Sequence, residues 1–117
     1  MKKKNILLPL HDILECMNRI ETYTEGVDYD SFCRNQMLID AVIRNLEVIG
    51  EASRNTTEEI RDQYLEIPWK KMIGLRNILI HEYFGVDESI VWEIISNDLK
   101  ETKQHILMVI EEVGDIT

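Results

Sequence analysis

Residues 38–51 of this chain read LIDAVIRNLEVIGE, and two sets of positions recur in the stretch at the spacing of an α-helix. Apolar side chains recur at steps of three and four, at Leu38, Val42, Leu46 and Ile49. Charged side chains recur at the same spacing, at Asp40, Arg44, Glu47 and Glu51. Since residues three and four apart lie on one side of an α-helix, the stretch predicts a helix with a buried apolar stripe and a charged face.

Helical periodicity continues along most of the chain, and no alternating strand pattern competes with it. A first helix is predicted to end before Gly26, with an apolar stripe of Ile6, Leu10, Ile13, Met17 and Ile20. A long last helix is predicted over most of residues 87–112, with the stripe Val91, Ile95, Leu99, Thr102, Ile106, Val109 and Val113. The stripes predict an all-α protein, an antiparallel bundle of four or five helices in a single domain over residues 1–117.

Local signals predict where the remaining helices begin and end. Thr56 and Glu59 have the spacing of a capping box, which would open a short helix toward Tyr64. Pro68 suits the first turn of the next helix and Gly85 its C-terminal exit. Asp87 is predicted to cap the last helix.

The composition is that of an ordinary soluble globular protein, with 44% hydrophobic and 30% charged residues. No segment approaches the ~20 apolar residues of a membrane span, and the apolar run around Pro9 is too short for a secretory signal, so a cytoplasmic protein without membrane contact is expected. Cys16 and Cys33 are interpreted as reduced packing residues, although a disulfide stays open. No metal-ligand spacing and no Gly-rich phosphate loop is present, so no metal site and no cofactor is predicted.

The charge balance restricts the partners of the chain. Lys and Arg number 13 against 22 Asp and Glu, which gives a formal net charge of −9. Broad nonspecific binding to nucleic acid requires Lys and Arg to neutralise phosphates, so DNA is not expected as a partner. A small cationic cleft remains compatible with this total, because local potential matters more than net charge at a recessed site.

Residues 76–83, RNILIHEY, place an arginine, a histidine and a tyrosine in an apolar helical segment. Arginine is costly to bury without a partner, and histidine moves protons near neutral pH. At about 100° per residue Arg76 falls among apolar positions, whereas His81 lies about 140° away. Either Arg76 reaches round the helix, held by a carboxylate of another helix, or the helix loosens near His81. The candidate carboxylates are Asp40, Glu47 and Glu51; a purely structural ion pair with one of them is the alternative.

The spacing R-x-x-x-x-H-x-Y resembles the signature of HEPN domains. Further segments narrow the resemblance to HepT-like toxins, the partners of minimal nucleotidyltransferase (MNT) antitoxins. These segments are DILE at 12–15, DAVIRNLEVIGEA at 40–52, IPW at 67–69 and YFGVD at 83–87. They occur in the order of that family and together cover roughly residues 12–104.

The resemblance implies the toxin of a type VII-like HEPN/MNT toxin–antitoxin system, a metal-independent endoribonuclease with RNA as substrate and a nuclease cleft at a homodimer interface. RNA cleavage through its own 2′-hydroxyl needs a base, an acid and positive charge at the phosphate. Arg76 and His81 are the catalytic candidates, since His81 can serve as base or acid and Arg76 can grip the phosphate. Asn77 would bind substrate or orient the imidazole.

Tyr83 is, by the same resemblance, the residue that the MNT-type antitoxin adenylylates, an addition of bulk and negative charge beside the cleft. The alternative for Tyr83 is a core aromatic with its hydroxyl at the surface. The alternative for the whole chain is a non-catalytic helical module that binds a nucleotide or the nucleotidyltransferase, which the charge of −9 favours. A purely structural helical dimer is the third hypothesis.

Overall fold

The computed structural model describes the backbone of residues 2–81 and 87–116 and the side chains of residues 6–75, 77 and 87–114. The helices are α1 (Lys2–Thr24), α2 (Tyr29–Cys33), α3 (Gln36–Asn55), α4 (Glu58–Gln63), α5 (Trp69–His81), α6 (Glu88–Glu93) and α7 (Leu99–Ile116). A π-helical turn, Ile94–Asp98, joins α6 to α7. Every element in these ranges is helical, which confirms the predicted all-α class. None of the helices in the described ranges is long and apolar enough to cross a bilayer.

Helix α3 lies at the centre of the bundle, packed against α1 and α5 and against the short α2. Its predicted stripe is buried at Val42, Leu46 and Ile49, each with 0% of its surface exposed. Complete burial of such a side chain contributes about 1.5–3 kcal/mol relative to exposure, so this stripe is a main source of stability. Leu38, predicted on the same stripe, is only half-buried, and its neighbour Ile39 lies deeper.

Helix α1 packs between α3 and α7. Its predicted stripe is buried at Leu10, Ile13, Met17 and Ile20. Near the end of α1, Glu21 pairs with Lys103 in the second turn of α7. The two helices therefore run antiparallel, as the prediction of an antiparallel bundle requires.

The last helix is continuous from α6 through the π turn into α7, since the backbone keeps right-handed helical angles at both junctions, Ile94 and Leu99. The predicted stripe is buried from Val91 to Val109, and Val113 is half-buried. Two successive steps of four, from Val91 to Ile95 to Leu99, drift by about 80° on an ideal α-helix. The wider π turn offsets that drift, and Leu99 lies on the core side at 7% exposure.

Side-chain caps define the short connections. Gly26, at a φ of +74°, takes the left-handed conformation that follows the end of α1. Asp28 then accepts the Ser31 amide at 2.8 Å and opens α2. Asp87 accepts the Ser89 amide at 2.9 Å, which confirms the predicted cap of the last helix.

Helix α2 was not predicted, because five residues are too few to show a periodicity. It is held in place by packing against α3 and by contacts of its aromatic side chains with Trp92. Phe32 is completely buried, and its ring lies 5.1 Å from that of Trp92 in α6, centroid to centroid. Tyr29 adds a second ring at 5.8 Å from Trp92.

The predicted capping box at Thr56 and Glu59 is wrong by one residue. The cap of α4 is Thr57, whose hydroxyl oxygen accepts the Ile60 amide at 3.3 Å. Thr56 is 2% exposed and donates its hydroxyl to the Ala52 carbonyl at 3.0 Å, so it completes the end of α3 instead. Two adjacent threonines carry the same local signal, and only burial separates their roles.

Both cysteines are free thiols. Cys16 is buried in α1, and burial raises the pKa of its thiol above the ordinary value. Cys33 is half-buried at the end of α2. The interpretation as a packing residue is confirmed for Cys16, which belongs to the buried core, and stays a prediction for Cys33.

Candidate functional site

Helix α5 carries the predicted motif, and its first half is anchored in the core. Trp69, Met72 and Leu75 are between 5% and 7% exposed. The Trp69 indole N–H donates to the buried Tyr64 carbonyl at 3.0 Å, and the Met72 amide donates to the Pro68 carbonyl at 3.0 Å. The first turn of α5 is thus tied to the preceding loop, and this attachment positions the rest of the helix.

A second stripe of α5 faces away from the core. Lys70 and Asn77 are exposed, and Gly74 between them is half-buried. A Cβ atom added at Gly74 would meet no described atom within 4 Å. The outer surface of α5 is therefore open along two turns, and Asn77, the candidate for orienting substrate, is accessible there.

Arg76 and His81 both belong to α5, whose backbone is helical through His81. The helix is therefore not loosened at or before His81. The side chains of Arg76 and His81, and all of Tyr83, lie outside the described residues, as do Phe84 and Gly85, where the helix was expected to exit. The convergence of the motif residues stays a prediction.

The carboxylates suggested as partners of Arg76 lie on the polar face of α3. Asp40 is exposed, and its carboxylate accepts the Gln36 side-chain amide at 2.8 Å. Glu47 is half-buried and Glu51 is exposed. Pairing of any of them with Arg76 stays a prediction, because it depends on the guanidinium position.

Glu47 and Glu51 also line a groove of about 400 Å³ between α3 and α1. The other lining residues are Asp12, Arg44, Val48, Ala52 and Asn55. Sequence reasoning missed this groove. Its walls come from two helices, and no local pattern reports how closely two helices approach.

Comparison with known proteins extends the description of this site. The model of the family described as "Ribonuclease HepT-like" matches residues 13–109, a span that contains α3, α4, α5 and the whole RNILIHEY segment. The chain belongs to the HepT-like ribonuclease family. The resemblance seen in the sequence is confirmed, and with it the membership of the HEPN superfamily. No solved structure matches this HepT-like chain.

Several proteins of other organisms are similar to this HepT-like chain. "Putative RNase MJ1380" of Methanocaldococcus jannaschii is 44% identical over 109 residues, which cover 93% of this chain and 100% of that protein. "Probable ribonuclease HepT" of Thermococcus cleftensis is 39% identical, with 80% of this chain and 86% of that protein covered. "mRNA nuclease HepT" of Shewanella oneidensis is 29% identical, with 86% of this chain and 92% of that protein covered. The names of all three describe a ribonuclease, and the match runs over most of each chain.

Proposed function

We propose that this HepT-like chain is a cytoplasmic toxin, a metal-independent endoribonuclease that cleaves RNA in a cleft between two copies of α5. The observation that carries the proposal is the family match over residues 13–109 together with an intact R-x-x-x-x-H-x-Y motif. The open outer stripe of α5 supports it, since Asn77 is accessible on the helix that carries Arg76 and His81.

The proposed reaction needs only groups of the protein and of the RNA. His81 of one copy takes the proton of a 2′-hydroxyl, whose oxygen bonds to the adjacent phosphorus while the bond to the 5′-oxygen breaks. His81 of the second copy protonates the departing 5′-oxygen. Arg76 binds the phosphate oxygens, on which negative charge accumulates in the transition state. The products are a 2′,3′-cyclic phosphate and a 5′-hydroxyl end.

A two-fold dimer supplies the second histidine. One chain carries a single histidine in this motif, whereas two facing copies of α5 bring two His81 and two Arg76 to one cleft. The space around Gly74 favours close approach of a second helix. Light scattering coupled to size exclusion is expected to give a dimer or a multiple of it, and a stable monomer at micromolar concentration would remove the composite cleft.

Expression of the chain alone tests the nuclease. Wild type is expected to arrest growth and degrade RNA, while His81→Ala does neither. His11→Ala is the matched control, because His11 is an exposed histidine of α1 outside the motif. Purified protein should cleave RNA in EDTA and leave 5′-hydroxyl ends. A nuclease lost in EDTA and restored by a divalent metal would contradict the mechanism, and equal activity of the His81→Ala protein would contradict the site.

Neutralisation is proposed to act on Tyr83. An MNT-type nucleotidyltransferase antitoxin would transfer adenylate to the phenol, which adds bulk and negative charge beside the cleft and excludes RNA. Co-expression should add whole adenylate units, mapped to Tyr83 by mass spectrometry. Tyr83→Phe should escape modification and stay toxic beside the antitoxin. Protected cells with an unmodified Tyr83 would show that neutralisation works by binding alone.

The second candidate function is a non-catalytic module that binds a nucleotide or the nucleotidyltransferase. The net charge of −9 favours it, because most of the surface repels RNA. A dimer that binds the antitoxin but leaves RNA intact, with identical behaviour of wild type and His81→Ala, would establish this alternative.

A further inference from the structure

Charge is distributed unevenly between α5 and the rest of the chain. Helix α5 contains Lys70, Lys71 and Arg76 and no carboxylate, whereas every other helix in the described ranges contains at least one Asp or Glu. The net charge of −9 is therefore the sum of +3 on α5 and −12 on the remaining residues. An anionic strand would thus be attracted to this helix and repelled by most of the other surfaces.

The two lysines of α5 are available for such a strand. Lys70 and Lys71 are both exposed, and within the described part of the structure neither forms an ion pair with a carboxylate. They differ in direction, because adjacent residues lie about 100° apart around a helix. Positions 70, 74, 77 and 81 fall within about 60° of one another, so Lys70 shares the outer stripe with Asn77 and Lys71 does not.

We propose that Lys70 forms a phosphate subsite for single-stranded RNA on this stripe, an assignment that rests on the proposed ribonuclease function. The backbone of Lys70 lies roughly 16 Å along the helix axis from that of His81. A lysine side chain is much shorter than this separation, so Lys70 binds a phosphate further along the strand rather than the one that is cleaved. It is a positioning residue that acts on affinity.

Salt-dependent RNA binding tests the subsite. The probe is a fluorescein-labelled single-stranded RNA with 2′-O-methyl groups throughout, which the proposed reaction cannot cleave, followed by anisotropy over a range of salt concentrations. Because Lys70→Gln removes one phosphate-neutralising charge per subsite, it should weaken binding roughly fourfold at about 0.15 M salt and reduce the slope of log K against log salt by about 0.7. Lys70→Arg should restore both values.

Lys71→Gln is the matched control, because it removes the same charge from the adjacent exposed position on a different side of α5. It should behave like wild type. On unmodified RNA, Lys70→Gln should raise KM and leave kcat unchanged. Equal losses in both glutamine variants would reduce the effect to overall charge and overturn the subsite, as would an unchanged salt slope in Lys70→Gln.

Three other outcomes distinguish a phosphate subsite from other roles of Lys70. If Lys70→Gln dissociates the dimer while the affinity per dimer is unchanged, Lys70 is a contact between copies and the subsite is wrong. If instead Lys70→Gln weakens binding of a protein partner and not of RNA, the subsite is equally wrong. Specific loss of RNA binding in Lys70→Gln, in a protein that cleaves no RNA, would support the subsite and refute the ribonuclease proposal.

Discussion

Helices α3 and α5 pack against each other and bury apolar residues, yet their outer surfaces differ in charge. The polar face of α3 mixes Asp40, Glu47 and Glu51 with Arg44, whereas α5 carries lysines and no carboxylate. Core packing requires only the apolar stripes, so the outer residues are free to serve other purposes. A net charge of −9 therefore describes neither surface, and α5 is the surface on which we expect an anionic substrate to bind.

The largest effect is expected from substitution of Arg76 in α5, the residue whose candidate partners are carboxylates of α3. Arg76→Ala should lower RNA cleavage by on the order of 10²–10³-fold, as loss of a charge-stabilising group does. Its effect on the free energy of unfolding should be small, about 1 kcal/mol or less, because the candidate carboxylates of α3 are exposed or half-buried. A double-mutant cycle with Glu47→Gln in urea measures the coupling, and exposed Arg54→Ala is the control. Full cleavage by Arg76→Ala would contradict the assignment.

Truncation in the core compares how firmly each helix is held. Leu46→Ala in α3 should lower the free energy of unfolding by about 2–5 kcal/mol, because the side chain is completely buried on the central helix. Met72→Ala in α5 should cost less, since Met72 is 5% exposed and, among the described residues, α5 packs mainly against α3. Urea titration of both variants decides this. A larger loss of unfolding free energy in Met72→Ala than in Leu46→Ala would show that α5 contributes more to stability than α3.

Helix α4, which connects α3 to α5, should depend for its stability on the hydroxyl of Thr57. Thr57→Ala removes the cap of α4, and a loss of about 1 kcal/mol in unfolding free energy is expected. Thr57→Ser keeps the oxygen and serves as the control. If both variants lose the same amount, the methyl group rather than the hydrogen bond stabilises the connection.

The smallest effect is expected on the acid dependence of stability, through two aspartates that cap helices. Asp28 caps the helix that leads into α3 and Asp87 caps the helix that follows α5, and hydrogen bonds from Ser31 and Ser89 lower the pKa of each carboxyl below 3.8. A lowered pKa stabilises the fold above 3.8, and this contribution is lost as pH falls through the folded-state value. Thermal unfolding of Asp28→Asn and Asp87→Asn should show a weaker acid dependence than wild type. An identical acid dependence would exclude these caps as its source.

Long helices were predicted well from sequence. The apolar stripes of α1, α3 and the last helix repeat over many turns, so their periodicity is easily distinguished from a chance pattern. Shorter features were missed for a physical reason in each case. Five residues of α2 carry no periodicity, and the π turn follows steps of four that an ordinary helix also tolerates. The roles of Thr56 and Thr57 depend on which of the two is buried.

Some features of the candidate site could likewise be predicted from sequence, and others could not. Helical spacing puts Lys70 and Asn77 on one stripe of α5, and both are exposed. The groove that Glu47 and Glu51 line with Asp12 had no sequence signal, because it exists only where α1 meets α3. The joint action of Arg76, His81 and Tyr83 rests on family membership and on the experiments above.

The helical class, the main apolar stripes and the family follow from the order of the amino acids, because periodicity and motif spacing are properties of neighbouring residues along the chain. The central position of α3 and the choice of Thr57 rather than Thr56 as the cap of α4 emerge only when the helices pack together. The same holds for the contact of Phe32 with Trp92, which keeps α2 in place. Each of these depends on which surfaces meet, and the free energy of burial acts only once distant segments are in contact.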